Sequence, residues 1–259
     1  MTRTGIPAQA WAGRPAAVPL PLALRLGADG VHLDVQGSEP PTGACRVWLL
    51  RLAADGAVPD ALLPLLSDDE HARADAYRVP SARSRFIQVR GALRLLLGRC
   101  LHVPAARIGF GYGQFGKPAL AHGGAWQFNV AHSGDYALLA IANGREVGVD
   151  IERHRSLPEL AELARMVLSP AEAAAWHAMP AADRVAGFFA AWSAKEAVAK
   201  ATGQGLGLGL ERLEVGMADW RTQSAPRAVP VGAMGVCRLA ALPAPEGYAA
   251  ALALRDPAG

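Results

Sequence analysis

Residues 192–202 read W-S-A-K-E-A-V-A-K-A-T, and the rest of the chain can be organised around them. The run is rich in alanine, with Trp192 and Val198 as apolar anchors, so its composition is that of a buried helix. Yet it carries Lys195, Glu196 and Lys200. On a helix Glu196 and Lys200 are four residues apart and lie one above the other. By themselves they read as a solvated pair worth about 0.2–0.5 kcal/mol. A second acidic group upstream changes that reading. Residues 147–152, V-G-V-D-I-E, form a predicted strand on which Asp150 and Glu152, two apart, project from one face while Val149 and Ile151 enter the core. Adjacent carboxylates repel, and either a proton or a cation must relieve them. Oxygen ligands favour a hard cation such as Mg²⁺, which also binds substrate phosphates. The alternative for D-x-E is an exposed strand end with two solvated acids.

Composition sets the frame. The 259 residues are 51% hydrophobic and 19% charged, the profile of a folded protein of one large or two modest domains. Cys45, Cys100 and Cys237 are odd in number and lack metal-type spacing, which fits buried thiols in a reducing compartment. The apolar run at residues 16–24 is broken by Pro19 and Pro21, too short for a membrane span. The expectation is a cytoplasmic protein with no membrane partner. A net charge of +3 demands no nucleic acid. Residues 70–117, however, carry nine basic side chains against Glu70 and Asp75 alone, an excess that attracts an acidic ligand or surface. At least half of those arginines are expected on a solvated helix face.

Along the chain, residues 1–44 are rich in Pro, Gly and Ala without steady periodicity and read as a loosely structured extension. A strand is predicted at 47–52. Ser67 and Glu70 form a capping box that opens a helix. A second helix, capped by Ser81, runs to about Leu101 with Phe86, Val89, Leu93, Leu96 and Leu97 at helical spacing. Strands follow at 108–111, 126–131, 136–142 and 147–151, with hairpin chemistry at Ser133-Gly134-Asp135 and Asn143-Gly144. Helices are predicted at 157–168, from the Ser169-Pro170-Ala171-Glu172 cap, and at 182–201 up to Gly203. Strands near Leu213, at 236–241 and at 248–254 close the chain, with a surface loop or hairpin at 222–230. The glycines at 203, 205, 207 and 209 follow a helix, so they read as a tight connection and not as a phosphate loop. The fold class expected is α+β, with an N-terminal half at 45–122 and a C-terminal half at 123–259.

Four blocks in this order carry a resemblance: F-G-K-P (115–118), F-N-V-A-H-S (128–133), G-V-D-I-E (148–152) and W-S-A-K-E-A-V-A-K (192–200). Together they resemble the 4′-phosphopantetheinyl transferases, in the spacing of the larger surfactin-type (Sfp-type) group. Weaker similarity reaches back to the arginine helices at 67–100, and residues 1–44 are not covered. The resemblance implies a pseudo-dimer of two α+β halves with the active site in the cleft between them, and a monomeric protein. It implies transfer of the phosphopantetheine arm of coenzyme A to a serine of an apo acyl or peptidyl carrier protein, releasing adenosine 3′,5′-bisphosphate.

Carried over by position, Asp150, Glu152 and Glu196 would be the Mg²⁺ ligands, and Glu196 would also deprotonate the carrier serine. Lys200 would neutralise the pyrophosphate. His132 and Lys117 would hold the coenzyme, His132 near its 3′-phosphate, with Arg73 and Arg85 as further phosphate contacts. Trp192 would anchor the helix, and Lys195 keeps the reading of a solvated lysine. One departure is Ala131, where the family pattern has serine, a change expected to weaken coenzyme affinity. Two alternatives remain at this point: a non-catalytic scaffold binding carrier proteins or coenzyme A, and a Mg²⁺-dependent phosphohydrolase.

Overall fold

Which face each alternating strand buries decides how the chain is layered. The computed structural model describes residues 22–27, 30–33, 45–53, 56–113, 116–217 and 226–256, and its architecture is mixed α+β. The first sheet has the order β2-β1-β3-β7-β6, from β1 (Leu22–Gly27), β2 (Gly30–Leu33), β3 (Cys45–Arg51), β6 (Trp126–Ser133) and β7 (Tyr136–Asn143). Among its described strands only β1 and β3 pair in parallel. The second, fully antiparallel sheet has the order β8-β11-β10-β9, from β8 (Val147–Arg153), β9 (Arg227–Pro230), β10 (Val236–Ala241) and β11 (Tyr248–Arg255). A small ladder joins β4 (Phe110–Tyr112) to β5 (Pro118–Leu120).

Each large sheet carries one 22-residue helix, α2 (Pro80–Leu101) on the first and α5 (Ala181–Thr202) on the second. Trp48, Leu50, Phe128 and Leu139 of the first sheet meet Leu93, Leu96 and Leu97 of α2. Its other face, through Val47, Ala131 and Leu138, packs on Val149, Ile151 and Leu252 of the second sheet. The outer face of that second sheet, with Leu239 and Ala253, lies beneath Phe188, Val198 and Ala201 of α5. Both sheets end at a common seam. There the edge strands β6 and β8 are neighbours, and Asn129 Oδ1 accepts the Val149 N–H at 2.9 Å. Gly148 brings α5 onto β8: a Cβ at that position would collide with the Ala197 carbonyl oxygen and the Ala201 nitrogen, both backbone atoms.

Several expectations change. Residues 22–27 and 30–33, inside the presumed extension, form β1 and β2, and β1 extends the first sheet by pairing with β3. By sheet membership the chain divides after β7 and not at 122/123, since β3 completes its hydrogen bonding with β7. Asn143-Gly144 therefore is not a hairpin turn; it links strands of different sheets. α2 starts at Pro80 itself, the fixed φ of proline suiting the first helical position. No strand forms at Leu213, where the backbone is taken up by a buried ion pair instead. Lys195 is fully buried and bonds Glu172 Oε2 at 2.6 Å and the carbonyls of Leu210 and Leu213 at 2.8 and 2.6 Å. Glu172 Oε1 accepts the N–H groups of Val215 and Gly216.

Of the eight arginines between residues 70 and 117, Arg73, Arg78, Arg99 and Arg107 are exposed, in keeping with the expectation for at least half, whereas Arg90 and Arg94 are buried. Glu70 is buried in α1 (Asp68–Asp75) and binds Arg94 at 2.7 Å and Arg90 at 3.4 Å, which draws both guanidinium groups inside. Arg94 also donates to the Ala105 and Ile108 carbonyls, fixing the connection after α2. The three cysteines are buried, and none forms a disulfide with another. Among the described residues no helix is long and apolar enough to cross a membrane. Phe115 of F-G-K-P and residues 222–225 of the expected loop lie outside the described residues.

Candidate active site

On β8 the alternation predicted from sequence holds: Val149 and Ile151 enter the core between the sheets, while Asp150 and Glu152 take the other face, toward α5. Lys200, near the end of α5, donates to Asp150 Oδ1 at 2.6 Å. Asp150 is 4% exposed, and its second oxygen, Oδ2, is buried without a well-formed hydrogen bond. Burial pushes its carboxyl above the usual range, with Lys200 opposing and Glu152 adding to the rise. Glu196 responds in the same way. Burial raises it, Lys200 lowers it, and the charges of Asp150 and Glu152 raise it further. Glu152 Oε2 accepts from Ser133 Oγ at 2.8 Å and from Arg155 at 3.2 Å.

Asp150 and Glu196 thus both feel the charges of Glu152 and Lys200. The three acids are not drawn into a closed ligand cluster: among the described residues, no three His, Cys, Asp or Glu side chains are gathered tightly enough to hold a metal ion. Lys200 stands on Asp150 as a built-in cation, and Ser133 with Arg155 occupies Glu152. The donor chemistry nevertheless suits a hard divalent ion. All three groups offer oxygen, and the buried Asp150 Oδ2 makes no well-formed hydrogen bond, the Ser193 hydroxyl being its neighbouring donor.

Across the seam lies a cavity of about 260 Å³ whose lining includes Arg73, Arg85, Phe86, Arg90, Tyr112 and His132. The guanidinium of Arg73 sits over the Phe86 and Tyr112 rings at 5.3 and 6.0 Å. Arg90 lies over Phe110 at 4.6 Å, and its Nη1 is buried without a partner. His132 links the two regions. Burial lowers its imidazole below the ordinary value, and the nearby Arg85 and Lys200 charges lower it further, while Glu152 opposes them. Sequence reasoning places Arg73, Arg85 and His132 in this site and misses Arg90. A signal for it exists: Arg85, Phe86, Val89, Arg90 and Leu93 all line the cavity and recur at the spacing of one helical stripe.

Lys117 is placed elsewhere. Its ammonium bonds Glu146 Oε2 at 3.1 Å and the Val147 carbonyl at 3.2 Å, while its neighbours Gly116 and Pro118 line the cavity. Burial lowers its pKa. Ala131 is buried between the two sheets, on the strand face opposite His132. A serine there would face the core and not the cavity, so this departure removes no contact to a ligand in it.

The match to known proteins falls on these elements. Residues 146–252, from the start of β8 to β11, fit the 4′-phosphopantetheinyl transferase superfamily. HetI of Nostoc sp., a 4′-phosphopantetheinyl transferase, is 34% identical over 81% of this chain and 84% of its own length. The chain belongs to the 4′-phosphopantetheinyl transferase superfamily. The phosphopantetheinyl transferase of Thraustochytrium sp. is 32% identical over 66% of this chain and 65% of its own length. A 4′-phosphopantetheinyl transferase of Bacillus subtilis is 31% identical over 52% and 63%. In this superfamily member the matched segment holds Asp150, Glu152, Glu196 and Lys200, whereas the arginine cavity lies before it and His132 just outside it.

Proposed function

We propose that the protein transfers the 4′-phosphopantetheine arm of coenzyme A to a serine of an apo carrier protein and releases adenosine 3′,5′-bisphosphate, with Mg²⁺ as its metal. The observation that carries this is the junction at His132: an arginine- and aromatic-lined cavity on one side, three carboxylates and Lys200 on the other. The first suits an adenine nucleotide with a phosphate, the second a pyrophosphate under attack. In this reading the two sheet-and-helix units are the halves of a pseudo-dimer, the seam between β6 and β8 is the floor of the cleft, and one chain suffices as a monomer.

Asp150, Glu152 and Glu196 would hold the metal, which supplies charge neutralisation at the pyrophosphate. The chain's own groups do the rest. Arg73, Arg85 and Arg90 bind the nucleotide end, and His132 meets its phosphate. Glu196, whose carboxyl is raised by burial, takes the proton of the carrier serine as its oxygen bonds to phosphorus. Lys200 leaves Asp150 for the bisphosphate as the phosphorus–oxygen bond to it breaks.

The direct test is incubation with coenzyme A, Mg²⁺ and an apo carrier protein. A carrier mass gain of one phosphopantetheine arm is expected. Coenzyme cleavage without carrier would favour the hydrolase reading, and binding without reaction the scaffold. A pH test isolates His132. Its pKa is lowered in the free protein, and a phosphate dianion alongside raises it, so binding takes up a proton. Affinity for adenosine 3′,5′-bisphosphate is therefore expected to rise as pH falls from about 8 to 6.5, by up to about tenfold per unit. His132→Gln should flatten that dependence in titration calorimetry. An unchanged slope in the variant would remove His132 from the phosphate site.

A further inference from the structure

Both donors to Glu152 reach the same oxygen. Ser133 Oγ lies 2.8 Å from Oε2 and Arg155 Nη1 3.2 Å from it, while Oε1 accepts from no group among the described residues. One carboxylate oxygen is thus held by the protein and the other is left for a ligand. The two donors differ in how firmly they stand. Ser133 ends β6, and the turn after it is pinned to the second sheet. There the Asp135 N–H donates to the Tyr248 hydroxyl at 3.1 Å, and Ser133 Oγ itself accepts the Arg153 N–H at 3.1 Å. A Cβ on Gly134 would collide with that same Tyr248 hydroxyl, so the turn sits flush against β11. Arg155, by contrast, lies beyond the end of β8 with 48% of its side chain exposed. Its guanidinium rests over the Phe189 ring at 5.1 Å and is otherwise held by Glu152 and, weakly, by the Arg153 carbonyl at 3.5 Å.

These two contacts act in opposite directions on a cation at Glu152. A neutral hydroxyl fixed by backbone orients the carboxylate without adding charge, the part that outer hydrogen bonds play for ligating acids. A loose guanidinium adds a full positive charge and competes for the same group. Arg155 therefore does at Glu152 what Lys200 does at Asp150: each acid rests against a cation of the chain itself.

Resting on the metal reading above, we propose that Ser133 and Arg155 are opposed positioning residues for the divalent ion. Ser133 holds Glu152 in the orientation that leaves Oε1 for it, and Arg155 is a resident counter-charge that has to be displaced. Metal affinity is thereby set from two side chains outside the ligand set, one raising it and one lowering it.

Mn²⁺ uptake, read as loss of the free-ion signal in electron paramagnetic resonance, tests this with and without coenzyme A and with no carrier protein present. Ser133→Ala is expected to bind Mn²⁺ about tenfold more weakly, and Ser133→Thr, which keeps the hydroxyl, close to the parent. Arg155→Ala is expected to bind it about three- to fivefold more tightly, and Arg155→Lys close to the parent. The gain in Arg155→Ala should shrink as salt is raised from about 0.05 to 0.5 M, since it is a charge effect at an exposed group. Thermal melting reports that each variant is folded. Either alanine variant at the parent's affinity, or both shifted in the same direction, overturns the proposal. Parent protein that takes up no Mn²⁺, or Asp150→Ala that takes up as much as the parent, would instead refute the metal reading itself.

Discussion

Asp150→Ala is expected to cut transfer to an apo carrier protein by at least about 10²–10³-fold while the protein stays folded. The argument starts from position. Asp150 is the most enclosed of the three acids, its Oδ1 holds Lys200, and its Oδ2 is buried without a well-formed hydrogen bond. A buried oxygen left so is a cost to the fold, and burial already raises its carboxyl above the usual range. Removing the group relieves that cost. Lys200, with 28% of its side chain exposed, can turn to water when its partner goes. Stability should thus stay within about 1 kcal/mol of the parent, while the carboxylate proposed for the metal is lost. Asp150→Asn keeps the shape without the charge and should be nearly as inactive. Carrier mass spectrometry alongside thermal melting reads both quantities. Near-normal turnover with Mg²⁺ in either variant would remove Asp150 from the chemistry.

The second large effect is on stability. Lys195→Met should cost about 3–5 kcal/mol, because it strands the Glu172 carboxylate without its buried counter-charge. For a chain of this size that corresponds to a fall in Tm of roughly 10 °C or more. All three protons of the ammonium have acceptors, Glu172 and the carbonyls of Leu210 and Leu213. Glu172 in turn satisfies the N–H groups of Ser169, Val215 and Gly216. The pair therefore ties α5 to the cap of α4 (Pro170–Ala178) and to the segment after residue 209. Glu172→Gln keeps the shape and should fall between the parent and Lys195→Met. Urea unfolding within 1 kcal/mol of the parent for Lys195→Met would show that the pair is dispensable.

Local patterns make much of this architecture legible in the sequence. Alternation at residues 126–152 locates β6, β7 and β8, and the 3.6-residue period locates α2 and α5. Same-face projection of Asp150 and Glu152 needs only the geometry of a strand. What stays hidden is set by partners distant in sequence. Lys195 and Glu196 are neighbours of like polarity, and only Glu172, on another helix, makes one a buried ion and leaves the other in the site. Arg90 and Arg94 do not stand out from the solvated arginines in the sequence, because Glu70, which draws them inward, lies on a different helix. The resemblance points Lys200 at a pyrophosphate; its resting partner, Asp150, lies 50 residues away. The pairing of β3 with β7 crosses the expected domain boundary for the same reason: hydrogen-bonding partners across a long loop leave no periodic trace.

Gly148 has no side chain to donate, accept or coordinate, yet it governs the gap across which Lys200 meets Asp150. Any larger residue there meets backbone and must push the helix away bodily. In a map of tolerance to substitution, position 148 would score like an acid of the site. Its intolerance would come from clearance and not from chemistry: a position whose contribution is the absence of atoms.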